Sequence, residues 1–195
     1  KLNLKHVVIT SVDRDDLDDG GSNHFYDVIT ATRKKNPDTS IEVLTPDFQG
    51  DIIALNTVFD AKPEIFSHNV ECIERISKKV RAQAVWTRSL DVLKQSVISG
   101  LRTKTSMMVG LGESTKEVIE TMKEVVDLGV EIFTIGQYLQ PTKNHLPVNR
   151  YVEDEEFQMY NKIGLDLGFR VVESGALVRS SYHADEQARL AKIEK

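Results

Sequence analysis

"KTSMMVGLGESTKEVIETMKEVVDLGVEIFTIGQ", residues 104–137, contains a complete strand–helix–strand unit. Its apolar start, Thr105–Leu111, has the length and β-branched content of a strand. Ser114 and Glu117 stand at the spacing of a capping box, in which each side chain satisfies a backbone amide that the first helical turn leaves unpaired. Val118, Met122, Val125 and Val126 then fall on one face, and Gly129 supplies the stop. Ile132–Leu139 follows as a second strand. Two strands joined by one helix run parallel, with a right-handed crossover.

The same plan extends outward in both directions. Short apolar or β-branched runs occur at Val7–Val12, Ile41–Thr45, Glu64–Ser67 and Arg170–Glu173. "SNHFYDVITATRKKNP" (22–37) predicts a helix from a Ser22 cap through Phe25, Val28, Ile29 and Thr32 to a basic last turn before Pro37. "EDEEFQMYNKIGLDLG" (153–168) has an acidic first turn, a stripe of Phe157, Tyr160, Ile163 (or Gly164) and Leu167, and a closing Gly168. Further helices are expected at about 51–60, 71–80 and 87–99. Strand–helix alternation from end to end predicts a parallel sheet in one α/β domain, residues 1–195, with no linker or repeat tract. Pattern alone does not separate an open sheet from a barrel.

The bulk numbers exclude several classes. With 195 residues, 40% hydrophobic, and a net charge of -5, the chain has the composition of a soluble domain without the basic footprint of a nucleic-acid binder. No apolar run approaches the roughly 18 residues of a membrane span, so no membrane partner is expected. One cysteine, Cys72, excludes an intrachain disulfide and any site built from several cysteines of this chain. It fits a reducing, cytoplasmic setting. "KLNLKHVVITSV" reaches a strand within a few residues and without an initiator Met. An interior parallel strand needs neighbours on both sides, so Lys1 is expected to lie inside a larger domain.

Polar residues gather where the strands end. Ser11, Asp13 and Arg14 follow the first, and Thr45 and Asp47 the second. Ser67, His68, Asn69 and Glu71 follow the third, Gly110, Gly112 and Glu113 the fourth, and Gln137 and Tyr138 the fifth. Arg179 and Ser181 come after the sixth. In α/β sheets and barrels, ligands bind at the carboxyl ends of the strands. A purely structural domain does not require six such clusters, although loops are polar in any protein.

Each cluster also has a plainer reading. "DRDDLDDGG" (13–21) fails as an EF-hand because Leu17 falls at a ligand position, and its carboxylates read as a solvated turn. Gly20 and Gly21 let backbone approach a ligand closely. "GLGES" (110–114) sets two glycines beside a helix N-terminus, where amides can meet a ligand, but it lacks the full phosphate-binding fingerprints. Asn69 and Glu71 offer an amide and a carboxylate able to grip a diol, or equally an Asx turn opening a helix. The five histidines have no zinc spacing, and no nucleophile elbow occurs. Cys72 reads as a small core residue.

Taken together, "VVITSVDRDDLDDGG", "EVLTPDFQGD", "SHNVE", "KTSMMVGLGE", "TIGQYLQPTKNHLPV" and "ESGALVRSSYHADEQ" resemble the lipoyl synthases, in order and over nearly the whole chain. "IGQYLQP" and "VRSSYHA" are specific to that family. The resemblance implies a partial (β/α)6 TIM-like barrel of the radical S-adenosylmethionine superfamily, here missing its first strand and N-terminal extension. It also implies insertion of two sulfur atoms into a protein-bound octanoyl chain. Those C–H bonds are beyond any side-chain base, so cofactor radical chemistry is needed. Two 4Fe–4S clusters are implied, one cleaving S-adenosylmethionine and an auxiliary one giving up its sulfur. Octanoylated lipoyl carrier domains (acyltransferase subunits of 2-oxoacid dehydrogenases, the glycine-cleavage H protein) and a ferredoxin- or flavodoxin-type reductant are the implied partners.

The resemblance assigns Ser181, in an auxiliary-cluster segment at 175–187, as an oxygen ligand to iron, with Arg179 beside it. Asn69 and Glu71 become the ribose pair, and Asp13, Gly20 and Gly21 meet the methionine moiety. Gly110, Gly112 and Glu113 approach adenine and ribose, Lys104 or Arg88 pairs with the methionine carboxylate, and Gln137 and Tyr138 face the substrate channel. The family's two cysteine sets are absent, and Cys72 stands where relatives usually carry Thr. The isolated chain is therefore expected to lack activity. A cluster-free relative that binds S-adenosylmethionine or lipoyl carriers without chemistry is the alternative.

Overall fold

The computed structural model describes residues 4–192; Lys1, and with it the expectation of a start inside a larger domain, lies outside them, as does the end of the charged tail. Six strands form one sheet in sequence order, every neighbouring pair parallel: β1 His6–Thr10, β2 Ser40–Leu44, β3 Ile65–Ser67, β4 Arg102–Val109, β5 Ile132–Gln137 and β6 Val171–Gly175. Helices α1 Ser22–Lys35, α2 Ile52–Asp60, α3 Glu74–Val80, α4 Trp86–Ile98, α5 Thr115–Asp127, α6 Asp154–Leu167 and α7 Ala184–Lys192 complete it.

The strands are two-faced. Ile41, Val43 and Phe66 pack with Phe25 and Ile29 of α1 and Leu55 and Val58 of α2. Met107, Val109, Phe133, Ile135 and Val172 pack with Val118 and Met122 of α5 and Phe157 and Tyr160 of α6. Fully burying each such side chain stabilises the fold by about 1.5–3 kcal/mol. The alternate residues, Glu42, Ser67, Lys104 and Thr134, turn to the opposite face and are buried too. Side chains enclosed on both faces are what a curved, barrel-like sheet requires. At the amino ends of the strands, Ile65, Ile132 and Val171 close the interior with Ala188 of α7.

Local details depart from the sequence reading. The first helix is not capped by Ser22: Gly21, at φ 86, is the cap position, and the Asp19 carboxylate accepts from the amides of Gly21 (3.0 Å) and Asn23 (2.9 Å). The acidic loop thus does part of its work as a helix cap. The helix expected from 71 begins at Glu74, because Glu71 takes φ 68 and bonds into β4, its N–H to Ser106 and its carbonyl to Met108 N. Strand β4 starts at Arg102, ahead of the apolar run, since its first residues are polar. Helix α7 has no counterpart in the sequence reading; the tail carries buried Ala184, Gln187 and Ala188. The Ser114–Glu117 capping box is present as read.

Candidate functional site

Two adjoining clefts open at the carboxyl ends of the strands. The first, about 380 Å³, is lined by Thr10, Ser11, Asp13, Thr45, His68, Asn69, Glu71 and Arg81, among others, from the ends of β1, β2 and β3. The second, about 630 Å³, lies between the end of α3 and the loop after β5, with Met108, Tyr138, Leu139 and Leu146 in its apolar part. Glu71 and Arg81 line both.

The turn between them is built from polar groups held under strain. Glu71 sits at φ 68, a conformation that non-glycine residues adopt rarely. Burial pushes its carboxyl above the ordinary carboxylate range, against the opposing pull of Arg81 and a hydrogen bond from Asn69. The Oδ1 atom of Asn69 is buried without a partner. A buried unpaired acceptor is unfavourable by about 1–3 kcal/mol, so this atom is suited to a donor that the protein itself does not supply.

Of the residues singled out in the sequence, Asp13, Asn69 and Glu71 line the first cleft, and Tyr138 lines the second, with its hydroxyl donating to Leu146 O at 2.8 Å. Others are occupied elsewhere. Lys104 does not reach either cleft: its Nζ lies 2.9 Å from Glu42 Oε1 in the barrel interior, both side chains essentially unexposed, and His6 Nε2 is 3.4 Å from the other Glu42 oxygen. Burial pushes the Lys104 ammonium down from its ordinary value, opposed by Glu42 and Glu173. Arg88 pairs with Asp47 at 3.0 Å. Gln137 spends its side chain bracing the loop, donating to Tyr138 O and Arg150 O and accepting from Val152 N at 2.9 Å. The expected channel-facing role of Gln137 therefore has no free amide behind it.

The glycine loops are likewise closed on themselves. The Glu113 carboxylate accepts from Gly110 N (2.6 Å) and Leu111 N (2.9 Å), the amides expected to meet a ligand. Gly110, at φ 98, permits this because an added Cβ would lie 2.6 Å from Arg150 O. Gly112 faces Asn149. Gly20 N bonds to Leu17 O, Gly21 N to Asp19, and Gly20 lies against Phe48. None of these glycines lines either cleft. Arg179 folds onto the carbonyls of its own loop, Val178 O at 2.6 Å, beside Gly136. Ser181 is exposed on the turn entering α7, and among the described residues no group of three or more His, Cys, Asp or Glu side chains is placed to hold a metal ion. Cys72 is 1% exposed, and burial pushes its thiol up to about 12, so it is an inert core residue.

Arg81 was not found from the sequence. It belongs to no motif, and only the way α3 ends beside the first cleft brings it there.

Known proteins give this geometry a context. No protein-family model matches the chain. It is 52% identical to the lipoyl synthase of Rubrobacter xylanophilus over 98% of this chain and 60% of that protein. It is 51% identical to the mitochondrial lipoyl synthase of Nematostella vectensis, over 95% of this chain and 64% of that one. The chain thus spans about 60% of the length of such relatives. Among solved structures, a domain of pyruvate-formate lyase-activating enzyme from Bacteroides vulgatus shares the fold at a TM-score of 0.64 and 11% identity, covering 86% of this chain and 98% of that domain. Methylornithine synthase does so at 0.65 and 10%, over 100% of this chain and 64% of that one. SuiB of Streptococcus suis, solved bound to S-adenosylmethionine, does so at 0.66 and 8%, over 93% of this chain and 41% of that one. By sequence over nearly all its length this chain is a homologue of the lipoyl synthases, and it shares the fold of its six-stranded partial barrel with the solved structures named above.

Proposed function

We propose that this chain forms the nucleoside-binding part of a lipoyl synthase, whose reaction inserts two sulfur atoms into an octanoyl chain on a lipoyl carrier domain. One observation carries the reading: the buried, unpaired Asn69 Oδ1 beside Glu71, on the turn shared by the two clefts. Ribose hydroxyls are donors of the kind that Asn69 Oδ1 lacks, and the Glu71 carboxyl beside it has room to accept a further one. S-adenosylmethionine then spans both clefts, its ribose on Asn69 and Glu71. Its amino-acid end lies in the more polar first cleft with Ser11 and Asp13, and its adenine in the second against Met108 and Leu139. Arg81, the one Lys or Arg side chain lining the first cleft, is a better partner for the methionine carboxylate than Lys104 or Arg88.

The iron–sulfur clusters do not fit this chain alone. Such clusters are held by cysteine thiolates, and the single Cys72 is buried and protonated. Ser181 as a cluster ligand, Arg179 beside it and Tyr138 toward the substrate remain proposals for the family's full-length protein. Lipoyl carrier domains as partners stand on the same footing. Lys78, Lys79 and Arg81 at the mouth of the second cleft favour an acidic carrier surface.

Titration with S-adenosylhomocysteine tests the site, since it keeps the ribose and adenine while needing no cluster. Binding is expected, and it should weaken by roughly tenfold in Asn69→Ala, as expected for a lost hydrogen bond of about 1.4 kcal/mol. Equal binding of the 2′,3′-dideoxyribose analogue would contradict the ribose assignment. The alternative reading is a relative that binds without catalysis. Sulfur insertion by a complex of this chain with cysteine-bearing polypeptide would exclude it.

A further inference from the structure

His68 stands directly before the Asn69–Glu71 turn, is 1% exposed, and has each of its polar groups assigned. Its Nδ1 lies 3.0 Å from Thr45 O, and its Nε2 3.0 Å from Ser89 Oγ. A carbonyl only accepts, so Nδ1 carries the proton and Nε2 accepts from the Ser89 hydroxyl; the ring is neutral in one tautomer. Its own backbone is gripped as well, His68 N donating to Lys104 O at 3.1 Å and His68 O accepting from Thr105 Oγ1 at 2.7 Å. The same Thr105 hydroxyl accepts from Val70 N at 3.2 Å, inside the turn. One residue therefore joins the end of β2, helix α4 and strand β4 to the strained turn.

We infer that His68 is a positioning residue, a neutral pin that holds Asn69 and Glu71 in ligand-accepting geometry while touching no ribose itself. The inference rests on the ribose reading above. A strained φ of 68 at Glu71 persists only where the surroundings over-determine it, and His68 with Thr105 supplies that determination. A second proton on Nε2 would displace the Ser89 hydrogen and place a charge in a dry site. Burial pushes the imidazole below its ordinary 6.5, with Asp47 and Asp13 opposing and Arg81 assisting. Those three, with Glu71 across the turn, are the charged groups around it, and Asp47 is itself paired with Arg88.

The experiment measures S-adenosylhomocysteine affinity by calorimetry, with thermal melts alongside, for wild type, Ser89→Ala, His68→Gln, Asn69→Ala and Ser89→Ala/Asn69→Ala. Ser89 lines neither cleft. Positioning predicts about a tenfold loss in Ser89→Ala but no further loss when that change is added to Asn69→Ala, because the turn's contact is already gone. It also predicts that wild-type affinity holds at pH 6.5 and falls only at lower pH, where the buried imidazole takes a second proton, while His68→Gln, which keeps a donor and an acceptor, binds with a flatter profile. Should Ser89→Ala fail to fold, Thr105→Val, which removes the hydroxyl holding His68 O and Val70 N and lines neither cleft, gives the same cycle with Asn69→Ala. Wild-type affinity in Ser89→Ala or in the variant that replaces it, losses that simply multiply, or an unchanged pH profile in His68→Gln would overturn the positioning role. A wild type that binds no S-adenosylhomocysteine would overturn the ribose reading and the pin with it.

Discussion

Replacing Lys104 by Met separates a structural cation from a ligand-binding one. At 2.9 Å and an effective dielectric of about 20, the Lys104–Glu42 attraction is about 6 kcal/mol, most of it offsetting the desolvation of two buried charges. Removing the lysine alone leaves the Glu42 carboxyl 1% exposed without its ammonium partner, a loss expected to be about 3–5 kcal/mol. For a domain of this size that lowers the melting temperature by about 6–20 °C. The double change Lys104→Met/Glu42→Leu removes both charges and should recover most of the loss. Differential scanning calorimetry on the three variants, with S-adenosylhomocysteine affinity measured well below each melting point, reads both quantities. The affinity should be unchanged. A Lys104→Met protein within about 1 kcal/mol of wild type in stability, but binding tenfold more weakly, would show that the ammonium leaves Glu42 for the ligand, and the placement argued above would be wrong.

Gly110→Ala should destabilise the fold by about 2–5 kcal/mol, since it combines a φ of 98 with a Cβ driven against Arg150 O and Gln137; urea unfolding reads this directly. Cys72 should resist thiol reagents in the native protein at pH 8 and react fully in denaturant, its thiol being buried and raised to about 12. Glu156, held down to about 2 by the paired Arg150 contacts at 2.7 Å, contributes stability that is present above its ordinary 4.5 and lost as pH falls toward 2. The stability gap between wild type and Glu156→Gln should therefore close on acidification through that window, and a gap independent of pH would sink the assignment.

No helix among the described residues is long and apolar enough to cross a membrane, in keeping with the hydropathy of the sequence. The sequence by itself determined the strand–helix alternation, the capping box at Ser114, and the end of the sheet where polar residues collect. These are local, set by periods of two and 3.6 residues and by turn chemistry, and are legible without knowing what lies across the fold. It also offered the Asn69–Glu71 pair as a candidate, with an Asx turn opening a helix as the equal reading of the same residues. Tertiary structure alone decided which polar residues are free. Lys104 faces Glu42 across a separation of 62 residues, Gln137 braces Arg150 and Val152, and Arg81 arrives from a helix end with no motif. Burial makes every polar group seek a partner, and that partner is chosen by distance in space rather than in sequence, so a list of polar residues at strand ends becomes a site only after the barrel has paired off those it needs for itself.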